Sequence, residues 1–310
     1  MKLSIVATLY WSAEYIDEFH RRASAVAQQL AGNSYEIVLV NDGSPDNSLD
    51  IAVRLAASDD HVVTVDLSRN FGHHKAMMTG LAQAQGDLIF LLDSDLEEEP
   101  EWLIGFAQQM ERDKADVVYG VQNKRKGGWF ERWSGRLFYR IFHILTGLPI
   151  PANMVTARIM SRRYVNALLQ HEEREIEIGG LWYITGFKQT AQFVKKHSTS
   201  ETTYSFRHKL HLFVNSITSF SNVPLIGIFY IGTAISILSG AHICFIIIQW
   251  IFLSQPVSGW TSVISSIWLL GGLIISFIGV IGIYLARVYA EVKHRPYTII
   301  RHIYGKRDQQ

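Results

Sequence analysis

The sequence predicts an α/β protein: a Rossmann-like domain built on a mostly parallel sheet, followed by a two-helix transmembrane hairpin near the C-terminal end. Two observations predict it. Up to Tyr119, short apolar runs alternate with amphipathic helical patterns, the signature of crossover connections between parallel strands. Residues 210 to 286 then contain no Asp, Glu, Lys or Arg, so all 29 basic and 28 acidic side chains fall outside that run. The remainder has the charge density of a soluble domain. This division excludes a secreted disulfide scaffold, a disordered chain and an ordinary cytosolic enzyme, although the net charge of +1 hides it.

The first apolar run, Leu3 to Leu9, reads as a strand rather than a signal peptide, because Trp11 and Glu14 follow without a small-residue cleavage site. Helical periodicity covers Tyr15 to Leu30, and a strand over Glu36 to Val40 ends in the turn signal Asn41-Asp42-Gly43-Ser44. The alternation continues with a helix from Asn47 to Ala57, a strand from His61 to Leu67 and a helix from Lys75 to Gln85. A strand from Leu88 to Leu92, a helix from Glu101 to Arg112 and a strand from Asp116 to Tyr119 complete it. Expected boundaries are a domain over 1–204, a juxtamembrane helix over 205–223, two membrane helices within 224–286 and a basic tail over 287–310.

Two stretches of the charge-free run, about 225–253 and 263–286, are long enough for a bilayer core, which takes about 20 apolar residues. Pro256 and Gly259 mark a turn between them. Arg207 and Lys209 precede the first stretch, and Arg287, Lys293, Arg295, Arg301, Lys306 and Arg307 follow the second. Basic flanks face the cytoplasm, so the expected location is the inner membrane, multi-pass, with both termini and the soluble domain cytoplasmic. The single cysteine, Cys244, falls inside the first stretch and reads as a small apolar residue.

In doubly wound sheets, ligands bind beyond the carboxyl ends of the strands. The polar clusters fall there: Tyr10, Asn41 to Ser44, Ser68-Arg69-Asn70 and Asp93-Ser94-Asp95. Two carboxylates one residue apart at the end of a buried strand repel each other, and a divalent cation such as Mg²⁺ or Mn²⁺ with phosphate ligands would neutralise them. The bland alternative is a solvated acidic turn, since Glu97, Glu98 and Glu99 follow at once. No G-x-x-x-x-G-K-[ST] occurs, which removes the Walker reading. Adjacent His73 and His74 point about 100° apart on a helix and do not suggest a shared metal; at most a phosphate contact is expected there.

The order Tyr10, Asn41-Asp42-Gly43-Ser44-Pro45-Asp46, Arg69 to Gly72, Gly86-Asp87 and Asp93-Ser94-Asp95-Leu96, with two apolar segments after it, resembles the inverting family-2 glycosyltransferases of GT-A fold that charge a polyprenyl phosphate. Gly180 to Phe187 and Ser219 to Leu225 extend the resemblance over nearly the whole chain. It implies that Asp42 meets the nucleotide base, that Asp93 and Ser94 lie against ribose and diphosphate, and that Asp95 ligates the metal with Asp93 and Glu97. Glu97 stands where relatives usually have Gln. Thr8 and Ser12 replace the proline and acidic residue of the usual first-strand motif, leaving the base open. Thr8, Tyr10, Ser12, Asn70 and Lys75 complete the expected nucleotide-sugar set.

From Trp129 to Leu145, aromatic and aliphatic residues recur at helical spacing with Arg132, Arg136 and Arg140 among them, which reads as an interfacial amphipathic helix over 129–145. A helix packed on the sheet is the competing reading. Guanidinium groups suit an anionic lipid head, and the candidates are Arg125, Arg132, Arg136 and Arg158. Relatives usually show D-F-R-L where this chain has Thr156-Ala157-Arg158-Ile159, so Arg158 is kept and an aspartate is lost. A phosphate acceptor is already ionised near neutral pH and needs no general base. The resemblance therefore implies inverting transfer of a sugar from a nucleotide diphosphate to an undecaprenyl-type phosphate, for cell-envelope or O-antigen (lipopolysaccharide) modification. It also implies a homo-oligomer, a tetramer among the forms it allows, and no nucleic-acid partner. Two other readings stay open: a membrane-anchored transferase with a non-lipid acceptor, and a non-catalytic nucleotide-sugar-binding scaffold.

Overall fold

The computed structural model describes residues 2–122, 144–146, 153–171, 173, 177–196, 217, 221–253 and 259–306. The chain divides into two compact units. One comprises Met1–Tyr139, Leu148–Ser205 and Arg295–Gln310; the other comprises Arg140–Gly147 and Phe206–His294.

In the first unit the strands are β1 (Leu3–Leu9), β2 (Tyr35–Asn41), β3 (Val62–Leu67), β4 (Leu88–Asp93) and β5 (Val117–Gln122). The helices between them are α1 (Ile16–Ala31), α2 (Ser48–Ser58), α3 (His73–Gln83) and α4 (Trp102–Asp113). These nine elements coincide with the expected alternation to within a few residues. Beyond them the sequence pattern is weaker, and the structure adds β6 (Met154–Ser161), α5 (Arg162–Leu168), α6 (Ile178–Ile184), β7 (Gln189–Val194) and β8 (Ile300–Tyr304).

The eight strands form one sheet in the order β7-β5-β6-β4-β1-β2-β3-β8. Strands β1 to β4 run parallel to their neighbours within that group, while β6 is antiparallel to both β4 and β5 and β8 is antiparallel to β3. Every residue of β1 is buried, as expected of a central strand covered on both faces. Helix α3 lies close against it: a Cβ on Gly80 would come within 2.5 Å of Val6 Cγ1 and 2.9 Å of Val40 Cγ2. Phe19, Phe90 and Phe106 fill the core between sheet and helices, the last two edge to face at 6.0 Å.

The chain runs from β1 outward through β2 and β3, then crosses back to place β4 on the other side of β1. The strand order reverses between β1 and β4, which opens a crevice at their carboxyl ends. The sequence therefore delivers Thr8 to Ser12 and Asp93 to Glu98 to the same edge.

The basic segment after Arg287 is more than a tail, because β8 pairs with β3 from Thr64↔Tyr304 to Leu67↔Ile300 and closes that edge of the sheet.

The second unit contains two long helices, α7 (Val223–Leu253) and α8 (Trp260–Val292). Among the described residues, Leu269–Val292 is long and apolar enough to cross a membrane, and Val223–Ile235 is a shorter apolar stretch. Tyr284 Oη donates to the Ser221 carbonyl at 2.7 Å, fixing α8 against the start of α7. The expected interfacial helix over 129–145, the juxtamembrane helix over 205–223 and the turn between the long helices fall largely outside the described residues.

Candidate active site

At the end of β1, Thr8 and Ser12 are buried while Tyr10 and Trp11 are 50% and 62% exposed. Trp11 has a left-handed backbone, φ 55°, which a bulky residue adopts only when its surroundings impose it. Those surroundings are hydroxyls: the Trp11 amide donates to Ser44 Oγ at 2.8 Å and the Ser12 amide to Ser48 Oγ at 3.1 Å. Ser12 Oγ in turn accepts from the Tyr10 amide at 3.0 Å.

The loop after β2 is organised by two aspartates. Asp42 accepts from the Phe71 amide at 2.7 Å and the Gly72 amide at 3.0 Å, tying the β2 loop to the β3 loop. Burial raises the Asp42 carboxyl, and these two amides pull it back. Asp46 has the opposite balance. Burial would raise it, but hydrogen bonds from the Ser44 and Ser48 hydroxyls and from the Ala13 and Ser48 amides hold it at about 2. Gly43, at φ 60°, lets the loops touch, since a Cβ there would lie 2.4 Å from the Asn70 amide nitrogen. Asn70 is exposed, and Lys75 is half-buried in the first turn of α3.

The end of β4 carries the densest charge. Asp93 Oδ2 accepts from Thr156 Oγ1 at 3.0 Å, while Oδ1 lies 3.2 Å from His73 Nε2 and is buried without a hydrogen bond of proper geometry. The other ring nitrogen of His73 pairs with Thr8 Oγ1 at 3.1 Å. Ser94 Oγ donates to the Thr8 carbonyl at 2.8 Å and pairs with Ser12 Oγ at 3.1 Å, locking the ends of β1 and β4 together. Asp95 Oδ1 accepts from the Glu97 amide at 3.0 Å.

Glu98 is fully buried, accepting from the Thr156 amide at 2.9 Å and the Asp93 amide at 3.4 Å. Lys196, beyond β7, lies 3.1 Å from Glu97 Oε2 and 3.8 Å from Glu98 Oε1.

Burial would raise Asp93, but His73, Lys196 and Thr156 outweigh it and keep that carboxyl below its usual range. Burial and the charge of Asp93 push Asp95 up. Glu98 is driven by the same two causes to about 8. Burial works against the Lys196 ammonium, yet the carboxylates around it leave its pKa raised. With Glu98 mostly protonated at neutral pH, the Lys196 ammonium meets the carboxylates of Asp93, Asp95 and Glu97, and negative charge stays in excess at this edge.

Among the described residues, no three His, Cys, Asp or Glu side chains form a ready-made metal cluster. The β4 end still fits a hard divalent cation by its chemistry. It offers Asp93 Oδ1, whose neighbour is the His73 ring, and Asp95, raised by burial and by the charge of Asp93, all-oxygen donors of the kind that bind Mg²⁺ or Mn²⁺ together with phosphate and water.

Of the expected site residues, the structure gathers Thr8, Ser12, Asp93 and Ser94 into one bonded network, joins Asp95 to Glu97, and sets Tyr10 exposed at the end of β1. Asp42 and Asn70 lie on the adjoining loops. Arg125 and Arg136 fall outside the described residues. Arg158 is fully buried rather than displayed at the surface: its guanidinium lies 3.0 Å from the Trp182 ring centroid and donates through Nε to the Thr156 carbonyl at 3.1 Å. Burial lowers its pKa to about 9, and Nη1 has no hydrogen-bond partner.

Glu98 and Lys196 escaped the sequence reading, which weighed His73 as at most a phosphate contact and not as the partner of Asp93 and Thr8. For Glu98 the acidic run suggested a solvated turn, and nothing in the sequence ties Lys196 to residues a hundred positions earlier.

The glycosyl transferase family 2 profile matches residues 4–169. A Mycobacterium tuberculosis (strain CDC 1551 / Oshkosh) protein grouped with the glycosyltransferases is 50% identical over 98% of this chain and 89% of its own length. The bactoprenol glucosyl transferase of Shigella phage SfV is 32% identical over 97% of this chain and 98% of its own. Among solved structures, S. aureus TarS 1–349 in complex with UDP-GlcNAc is 19% identical, with a TM-score of 0.46 over 71% of this chain and 66% of that one. The sheet is of GT-A type, with β1 to β4 parallel and the acidic strand end at the point of reversal. By its profile match and by the near full-length identity to these relatives, the chain is a glycosyltransferase and belongs to glycosyl transferase family 2.

Proposed function

We propose that this enzyme transfers a sugar from a nucleotide diphosphate to a polyprenyl phosphate of the undecaprenyl type, inverting the anomeric carbon, at the cytoplasmic face of the inner membrane. The observation that carries the donor half is the surplus of carboxylates, Asp93 and Asp95, at the reversal between β1 and β4. Support for the acceptor comes from the bactoprenol glucosyl transferase relatives and from the long apolar helices. At about 1.5 Å per residue, α7 and α8 each exceed the roughly 30 Å hydrocarbon core, and both are read as membrane spans. The soluble unit would modify cell-envelope or O-antigen glycans from the cytoplasmic side, as a homo-oligomer and with no nucleic-acid partner.

The proposed chemistry is a single in-line displacement. A lipid phosphate oxygen, ionised near neutral pH, attacks the anomeric carbon from the face opposite the nucleotide, so no protein base removes a proton. Thr156, which stands where relatives carry an aspartate, suits this economy. It donates to Asp93 and adds no further charge beside it. Asp42, Thr8, Tyr10, Ser12, Asn70, Lys75 and Ser94 orient the nucleotide sugar, and Arg125 and Arg136 hold the acceptor phosphate, while the buried Arg158 holds the Thr156 carbonyl beside the site. Asp95, with Asp93 and Glu97, would hold Mg²⁺ or Mn²⁺, which when bound neutralises the departing diphosphate.

A panel of nucleotide sugars with Mn²⁺, tested for thermal stabilisation of the full-length protein in detergent, names sugar and base together. One donor is expected to raise the melting temperature and to give a product of inverted configuration on polyprenyl phosphate. Retained configuration would overturn the single displacement.

A further inference from the structure

We propose that Arg301, on the strand that follows the second long helix, is a positioning residue for the nucleotide donor, acting by holding the β2 and β3 loops in mutual register. This rests on the donor reading above.

Arg301 Nη1 lies 3.3 Å from Asp66 Oδ2, and Nη2 donates to the Ser68 carbonyl at 2.6 Å. Asp66 is 1% exposed, and its Oδ2 makes no hydrogen bond, so the guanidinium supplies that oxygen with its countercharge. The other oxygen, Oδ1, accepts from Asn41 Nδ2 at 2.8 Å. Asn41, itself buried, uses its carbonyl oxygen to accept from the Ser44 amide at 3.2 Å. One arm of Arg301 thus reaches the loop after β2 through two buried side chains.

The other arm fixes the loop after β3. Ser68 is held on both sides, its carbonyl by Arg301 and its amide by the Ile299 carbonyl at 2.9 Å. The chain then passes through Arg69 and Asn70 to the Phe71 and Gly72 amides that bind Asp42. Gly43 and Asn70 leave no room for a Cβ between them, so a shift of one loop displaces the other. The β3–β8 register changes at Asp66 and Leu67, where Arg301 inserts. Asp42 and Asn70, both assigned to the donor, sit on the two loops that this one side chain connects.

A second ion pair on the same segment provides the control. Lys306 pairs with Asp60, before β3 begins, and touches neither loop. If Arg301 only pinned the strand, removing either pair would have the same result.

The test is calorimetric titration of the full-length protein in detergent with UDP, GDP and dTDP, each with Mn²⁺. Arg301→Ala is expected to weaken binding by about fivefold or more, Arg301→Lys to recover part of it, and Lys306→Ala to stay within about twofold of the parent. Arg301→Gln, which keeps a donor for the Ser68 carbonyl, replaces Arg301→Ala if that variant does not fold. Unchanged affinity in the Arg301 variants, or equal weakening by Lys306→Ala, overturns the inference alone. A parent that binds none of the three nucleotides overturns the donor reading, and the inference with it.

Discussion

The ends of β2 and β4 both carry clustered carboxylates, and Asp46 at the first is held in the opposite way to Asp95 and Glu98 at the second. At the β2 end, Asp46 is surrounded by hydroxyls and amides that stabilise its charge and hold it at about 2. At the β4 end, burial and mutual repulsion raise Asp95 and drive Glu98 to about 8, with Lys196 as the cation beside them. The first arrangement is a satisfied turn whose charge contributes to folding. The second keeps electrostatic energy that a bound cation would relieve. On the function proposed above, hydrogen-bond donors mark Asp46 as structural, while burial and repulsion mark Asp95 as a working carboxylate.

That contrast is most easily broken at Asp95. Asp95→Asn removes a charge that raises its neighbours' energy, so the melting temperature should hold or rise while sugar transfer falls by at least about 100-fold. Transfer at the parent rate would place the working charge elsewhere.

The equivalent change at the other end should do the reverse. Asp46→Asn should cost about 1–2 kcal/mol of stability at neutral pH, after allowance for solvent screening, read as a shift in denaturant midpoint. Because folding lowers this pKa, the contribution is full above the unfolded value near 3.8 and disappears as pH falls towards 2. Parent and variant stabilities should therefore converge in acid.

Glu98 has the opposite sign and a smaller expected effect. Its pKa rises on folding, so the folded state binds the extra proton and loses stability as pH climbs from about 4.5 to about 8. Glu98→Gln, neutral throughout, should flatten that decline and raise the melting temperature at pH 8 by roughly 2–4 °C in metal-free buffer. A decline of equal slope in the variant would assign the titration to another group.

The N-terminal half of the fold was legible because the strands of the parallel group are buried and largely apolar and α1, α2 and α4 are buried on one face. β7 is not: its burial alternates weakly, and it carries Gln189 and Gln192. β8 is not either, since Arg301 and His302 make an edge strand read as a basic tail. In the site, Asp93 and Asp95 stood out because they end the apolar run Leu88 to Leu92. Their partners His73, Thr156 and Lys196 come from three other segments, and only the folded sheet brings them together. Arg158 shows the limit from the other side: a guanidinium chosen for phosphate binding is packed against Trp182 inside the protein.

The acceptor proposed for this enzyme is a lipid phosphate. The direct measurement is formation of lipid-linked sugar by the purified protein in detergent with Mn²⁺, its stabilising nucleotide sugar and undecaprenyl phosphate, compared with undecaprenol lacking the phosphate. A lipid-linked product of one sugar per chain is expected with the phosphate and none with the alcohol. Equal transfer to both lipids, or donor binding with no lipid product, would rule out the lipid-phosphate acceptor.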